Sequence, residues 1–144
     1  MRECKTESLV RMPQERLWDY LSDYGTLLEL ASSDFRQCGC RLLTGRGGVE
    51  GATYEAWMKW QALQAKYTAT LEEAARPESM LWCGYERGIF SSLRFELRPF
   101  DDDFTVVVAT FTISIRNSPR LTEPLGWELL DPAFGHVVRE LQAL

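Results

Sequence analysis

Between Asp34 and Arg116 apolar and polar residues alternate with a period of two, and turn residues break the alternation into short segments. This pattern predicts an antiparallel meander of about six strands. Ahead of it, residues 5–12 alternate weakly and predict a first strand, after which Pro13 suits the opening turn of a helix carrying Leu17, Trp18 and Leu21 on one face. Gly25 is expected to interrupt that helix, and a second short helix follows over Thr26–Ala31. From Thr122 onward Trp127, Leu130, Phe134, Val137, Leu141 and Leu144 recur at three- and four-residue steps, the stripe of a terminal helix laid on a core. Within it Asp131-Pro132 joins a capping residue to a first-turn proline, which predicts a kink or a fresh start at Pro132. The predicted order is β-α-α-β6-α in a single domain over residues 1–144, without repeats or low-complexity segments.

With 144 residues and 45% hydrophobic content, the chain is long enough to bury roughly two thirds of its unfolded surface without a staple. Its net charge is -5, and acids and bases are interspersed except at Asp101-Asp102-Asp103, a solvated turn or a loose cation site. There is no basic stripe to follow a phosphate backbone, so no nucleic-acid partner is expected. No apolar run approaches the roughly 20 residues of a membrane span, and the first residues lack the hydrophobic core of a signal peptide, which predicts a cytoplasmic protein. Cys4, Cys38, Cys40 and Cys83 are then reduced thiols. Cys38-Gly39-Cys40 does not have the C-x-x-C spacing of a zinc knuckle and His136 is the one imidazole, so no metal site is expected.

Gly45-Arg46-Gly47-Gly48-Val49-Glu50-Gly51 sets four glycines in seven residues between two strand-like segments. A phosphate-cradling loop has to open a helix, whose N-terminal amides hold the anion. Here Gly51 runs into the strand-like Ala52–Trp57 and no Lys-Ser/Thr pair follows, so no nucleotide cofactor is expected. Together with Met12-Pro13-Gln14-Glu15-Arg16-Leu17-Trp18-Asp19-Tyr20-Leu21, and with Phe95-Glu96-Leu97-Arg98-Pro99 before the last strand, the pattern Gly45-x-Gly47-Gly48-x-x-Gly51-x-Thr53 resembles the Bet v 1-like, START-related superfamily. That superfamily includes the bacterial polyketide cyclase/dehydrase-like proteins. The resemblance spans nearly the whole chain and implies an α+β helix-grip fold, a seven-stranded antiparallel curved sheet wrapped around a C-terminal helix. It also implies a ligand cavity between sheet and helix, with the glycine loop as a flap at its rim. The loop is one residue longer than the common G-x-G-G-x-G-T form, and the final helix is short or broken.

Turn chemistry predicts which side chains face inward. Pro77 suits the second position of a type I turn that pairs Arg76 with Ser79, Leu71 with Gly84 and Ala69 with Glu86. Gly88-Ile89 reads as a two-residue turn that pairs Arg87 with Phe90, Gly84 with Leu93 and Trp82 with Phe95. Paired residues share a face, and the apolar sets Tyr67, Ala69, Leu71 and Leu93, Phe95, Leu97 must be the buried ones. Both hairpins therefore put Met80, Trp82, Gly84 and Glu86 inside. The same argument turns Tyr54, Ala56, Met58, Trp60 and Ala62 inward with Cys38, Cys40, Leu42 and Arg36, leaves Trp57 outside, and adds Val107, Ala109, Phe111, Ile113 and Ile115. The result is an aromatic, sulfur-lined trough in which Gly84 leaves room for a guest.

The expected function is binding of a small, mainly hydrophobic molecule, aromatic, polyketide-like or lipid-like, by a monomer or homodimer without cofactor. Its lining would be Cys38, Tyr54, Met58, Trp60, Tyr67, Trp82, Gly84, Phe95, Phe111 and Phe134. Glu86 is the one carboxylate on the inner face. Desolvation would raise its pKa and suit it to acid or base work, or it reaches water beside the Arg87-Gly88 turn or pairs with Arg36. The resemblance thus also admits a cyclase/dehydratase-type enzyme in which Glu86, helped by Tyr67 or Arg36, moves protons. His136, with Glu140 one turn on, falls beside the terminal stripe and reads as a solvent-edge residue. With one histidine a Ser-His-Asp arrangement has little material. A third option is a protein-interaction domain, like chaperone-activator relatives, working through Trp57.

Overall fold

A computed structural model of the protein describes residues 2–31, 37–60, 63–86 and 88–115. The elements are β1 (Arg2–Val10), α1 (Gln14–Leu21), α2 (Tyr24–Ala31), β2 (Gln37–Thr44), β3 (Thr53–Trp60), β4 (Leu63–Ala75), β5 (Ser79–Glu86), β6 (Ile89–Pro99) and β7 (Thr105–Ile115). They form one antiparallel sheet in the order β1-β7-β6-β5-β4-β3-β2. The six strands of the meander are neighbours in sequence order, and β1 closes on β7 at the far edge. The chain must therefore cross the sheet between β1 and β2, and α1 and α2 make that crossing, α1 against β6 and α2 against β2. The terminal stripe with Phe134, His136 and the Pro132 break lies outside the described residues. None of the described helices is long and apolar enough to cross a membrane.

Two boundaries differ from those expected. The first strand begins at Arg2, because its ladder with β7 runs from Arg2 opposite Ile113 to Val10 opposite Thr105. Its inner positions Cys4, Thr6, Ser8 and Val10 are too polar to give a strong alternating signal. The break between the helices falls at Ser22-Asp23, not at Gly25. The Asp23 carboxylate accepts from Gly25 N (3.1 Å) and from the Thr26 hydroxyl (3.0 Å), and Leu27 N donates to the Asp23 carbonyl. A capping aspartate satisfies the orphan amides of a helix start, and that gain outweighs the modest cost of a glycine in the first turn.

The hairpin registers slip by two residues from those expected, and the faces survive. Across the Pro77 turn, Ala75 pairs with Ser79 through a three-residue loop that contains the cis Arg76–Pro77 peptide bond. On its own that register would reverse the faces. A bulge between Leu71 and Glu73 restores them, so that Leu71 meets Trp82 and Ala69 meets Gly84. At the next turn Glu86 pairs with Ile89, giving Gly84 opposite Ser91 and Met80 opposite Phe95. Gly88 there has φ +85°, open to glycine at no steric cost. Met80 (0% exposed) and Trp82 (3%) accordingly point inward, and Tyr85 (49%) outward.

The helix pair is fastened to the end of the sheet where β5 and β7 begin. The Gln14 amide donates to the carbonyls of Pro77 (3.2 Å) and Leu97 (3.1 Å), and Trp18 Nε1 donates to that of Ser79 (3.0 Å). In the other direction Trp82 Nε1 donates to the Leu21 carbonyl (3.2 Å) and the Thr105 hydroxyl to that of Met12 (2.7 Å). Between them Val10, Leu17, Leu21, Leu71, Met80, Phe95 and Val107 are almost completely buried. Each such side chain contributes about 1.5–3 kcal/mol of transfer free energy. Thr105 itself is wholly buried, so Thr105→Val keeps the shape and strands the Met12 carbonyl. That variant is expected to lose about 1–3 kcal/mol, read as a lower urea midpoint at unchanged slope.

Candidate functional site

Along the inner face burial divides the sheet in two. At the helix-covered end the side chains form a closed core that includes three residues expected to line a pocket: Phe95 (0% exposed), Trp82 (3%) and Tyr54 (7%). Toward the opposite end Cys4, Thr6, Cys38, Cys40, Tyr67, Gly84, Glu86, Ser91, Leu93 and Phe111 are only half-buried. Among the described residues interspersed with them, Ile113 (3%), Ala56 (0%) and Ala69 (2%) are buried. Met58 and Trp60 stand at strand positions of the same parity as Tyr54 and Ala56. Leu42 shares that parity too, but at the edge strand it is 44% exposed. Arg36 and Phe134 lie outside the described residues.

Where the two regions meet, four aromatic rings converge. Tyr24, from the first turn of α2, sits 5.0 Å from Trp82, 5.6 Å from Tyr54 and 6.4 Å from Tyr67, centroid to centroid. Its hydroxyl lies 2.5 Å from that of Tyr67. Burial raises the Tyr24 pKa well above its usual value, and the neighbouring Tyr67 phenol adds to the shift. Burial pushes Tyr67 up to about 12 against the bond from Tyr24, which works the other way. Cys40 is raised by burial first and then by the Asp23 carboxylate, the Cys38 thiol and Glu29. At neutral pH these phenols and this thiol are uncharged hydrogen-bond donors.

Two expectations about the trough are corrected. Gly84 does not open space for a guest, because a Cβ built on it would stand 2.6 Å from Ser91 Oγ; the side chain of its cross-strand partner already occupies the gap. Glu86 is flanked by Ile89 rather than by Ser91, at the end of β5, and its carboxylate is close enough to Tyr67 to affect that phenol's ionisation. The residue missed in the sequence is Tyr24. Its signal was Asp23 followed by Thr26, a capping pattern that starts the helix at Tyr24 and aims it at the same side as Leu27 and Leu28.

The glycine loop is not a flap at the rim of the half-buried region. Gly45, Gly48 and Gly51 all take positive φ, Ala52 N donates to the Val49 carbonyl, and Gly51 N donates to that of Leu71 (2.8 Å). The loop comes down on the junction of α1 and α2, where a Cβ on Gly47 would stand 3.2 Å from the Tyr54 hydroxyl. Between loop and helices runs an open groove of about 520 Å³ lined by Trp18, Asp19, Ser22, Asp23, Tyr54 and Arg76, with Gly47 and Gly48 of the loop. Its charged groups are already engaged. Arg76 Nε and Nη2 donate to the two Asp19 oxygens (2.9 and 3.1 Å), a pairing that lowers the Asp19 pKa, and the Asp23 carboxylate caps α2. The groove thus presents no unpaired charge among the described residues, and the Tyr54 side chain forms part of its lining. On the outer face the indole of Trp57 lies over Gly39, whose missing side chain admits the ring, and Trp57 stays 41% exposed.

The chain has the α+β helix-grip fold of START and Bet v 1-like proteins. It superposes with a TM-score of 0.74 on a START superfamily protein from Mycobacterium smegmatis, at 14% identity over 98% of this chain and 94% of that one. It is likewise similar to the Zhui aromatase/cyclase from Streptomyces sp. R1128, with a TM-score of 0.70 and 14% identity over 98% and 93% of the two chains. Ara h 8.0201 gives a TM-score of 0.71 and 11% identity over 99% and 95%. No family model matches the sequence, and no curated protein matches it.

The Tyr67 phenol sets a pH dependence. Its folded pKa of about 12 exceeds the ordinary 10, so the unfolded chain releases this proton first. The stabilisation is fully present below pH 10 and is lost as pH rises through about 12, with a slope on the order of 1 kcal/mol per pH unit. Denaturation midpoints measured between pH 9 and 12 are expected to fall more steeply for the native protein than for Tyr67→Phe.

Proposed function

We propose that this protein binds a small, mainly hydrophobic molecule, aromatic, polyketide-like or lipid-like, at the half-buried end of its inner face. The observation that carries this is the continuation of the apolar face beyond α1 and α2: Cys38, Tyr67, Leu93 and Phe111 follow the closed core yet are only half-buried. An apolar concave surface with a few convergent donors is the usual form of a small-molecule site. Met58 and Trp60 extend it by strand parity, and Phe134 completes the proposed lining. The fold shared with an aromatase/cyclase is consistent with this reading.

A neutral fluorescent probe, N-phenyl-1-naphthylamine, is expected to bind with one site per chain and a rise in emission. Thr6, on the inner face of β1 opposite Ala109, offers a way to fill the site. Thr6→Trp should weaken the probe about tenfold or more, a loss of about 1.4 kcal/mol, with little change in melting temperature. A folded protein that takes up neither the probe nor any co-purifying molecule, as read by native mass spectrometry, would refute the proposal.

A second role for the same surface is favoured by the placement of Glu86 beside Tyr67. A carboxyl next to a phenol in a partly dry site can pass a proton to or from a bound carbonyl compound, as a cyclase/dehydratase requires. If the protein turns over such a substrate, Glu86→Gln is expected to lower the rate by about 10²-fold or more with substrate affinity retained; unchanged turnover removes Glu86 from the chemistry.

A further inference from the structure

The hydroxyls of Tyr24 and Tyr67, 2.5 Å apart, carry two hydrogens between them, and their mutual bond uses one. Among the described residues neither oxygen has another hydrogen-bond partner, so the second hydrogen has no protein acceptor there. A buried donor without an acceptor is costly, and a bound group that supplies one is correspondingly favoured. Geometry says which phenol holds the spare hydrogen. Either oxygen can donate in the mutual bond, but Tyr24 is 9% exposed and ringed by Tyr54 and Trp82, so a hydrogen turned away from the pair has more room on Tyr67. Tyr67 is half-buried and its strand neighbours are small: Ala56 lies opposite it, and a Cβ on Gly84 would stand 3.9 Å from its ring. Of the two phenols, Tyr67 is therefore the one that borders the half-buried side.

We infer that the Tyr24–Tyr67 pair is the oxygen-recognising element of the site, and that the hydrophobic molecule bound there, on the binding role proposed above, carries a carbonyl oxygen that accepts the Tyr67 hydrogen bond. The Tyr24 bond polarises the Tyr67 hydroxyl and strengthens its donation. Both phenols stay protonated at neutral pH, so the element is a donor throughout the physiological range. Tyr67 contacts the ligand, and Tyr24 positions Tyr67.

Matched probes that differ by one carbonyl test this on the full chain: 9-fluorenone against fluorene, and xanthone against xanthene, with affinities from tryptophan quenching. The native protein should bind each ketone about tenfold more tightly than its hydrocarbon or ether partner, beyond any difference in their partition from water. Tyr67→Phe should abolish that preference while leaving the hydrocarbons bound, and Tyr24→Phe should keep part of it, since Tyr67 retains its hydrogen. The carbonyl stretch of bound fluorenone should move to lower frequency in the native protein and return in Tyr67→Phe. Equal affinities within each pair in the native protein, or a preference that persists in Tyr67→Phe, would overturn the inference and leave hydrophobic binding standing. Failure of the folded protein to bind any of the four probes would overturn both.

Discussion

Trp82 is the point at which the two layers of this molecule are held in register. Its ring fills the space between Tyr24 and Tyr54, and its Nε1 donates to the carbonyl of Leu21, the last residue of α1. A helix C-terminus leaves carbonyls without partners. When a buried indole from the sheet supplies one, packing and hydrogen bonding depend on the same rotamer. Moving α1 along the sheet would cost both, and Gln14, Trp18 and Thr105 add bonds that fail in the same displacement. Because the connection from β1 to β2 spans the whole sheet, this anchoring also fixes where Tyr24 enters the interior, and hence what Tyr67 can do.

Most of the sheet was legible because inward and outward positions depend on parity alone. Both hairpins around β5 were misplaced by two residues, yet Met80, Trp82, Gly84 and Glu86 keep the faces deduced for them. An even error cannot turn a strand over. At the Pro77 turn this outcome needed the bulge at Glu72, since the three-residue loop alone is an odd change. A bulge leaves no mark on an alternating pattern beyond two successive polar residues, and Glu72-Glu73 is such a pair. The helix boundary was less legible, because Gly25 is the louder breaker and Asp23 the stronger determinant of the structure.

The candidate site was legible as a face and much less as a volume. Phe95 and Phe111 occupy inner positions of the same kind on neighbouring strands, yet one is sealed in the closed core and the other half-buried. Period-two alternation carries no information about which layer covers which stretch of strand. Gly84 illustrates the limit at a single residue: absence of a side chain was read as space, but Ser91, brought opposite by the true register, fills it. Tyr24 was legible only in part: the Asp23 cap marks its helix start, but its contact with Tyr67, 43 residues away, leaves no trace in the local pattern.

The division of the inner face also bears on why a polar pair survives in an aromatic interior. Phenylalanines at both positions 24 and 67 would pack similar rings without the cost of burying hydroxyls, so the pair adds little to a purely structural core. They lie instead at the border where the closed core gives way to half-buried surface, and share one hydrogen bond while leaving one donor to spare. The acids of the glycine-loop groove show the opposite economy: Asp19 and Asp23 are engaged by Arg76 and by the start of α2, so neither carboxylate there is left over for a guest. What distinguishes a binding surface from a structural one in this molecule is the unspent valence of the Tyr24–Tyr67 pair.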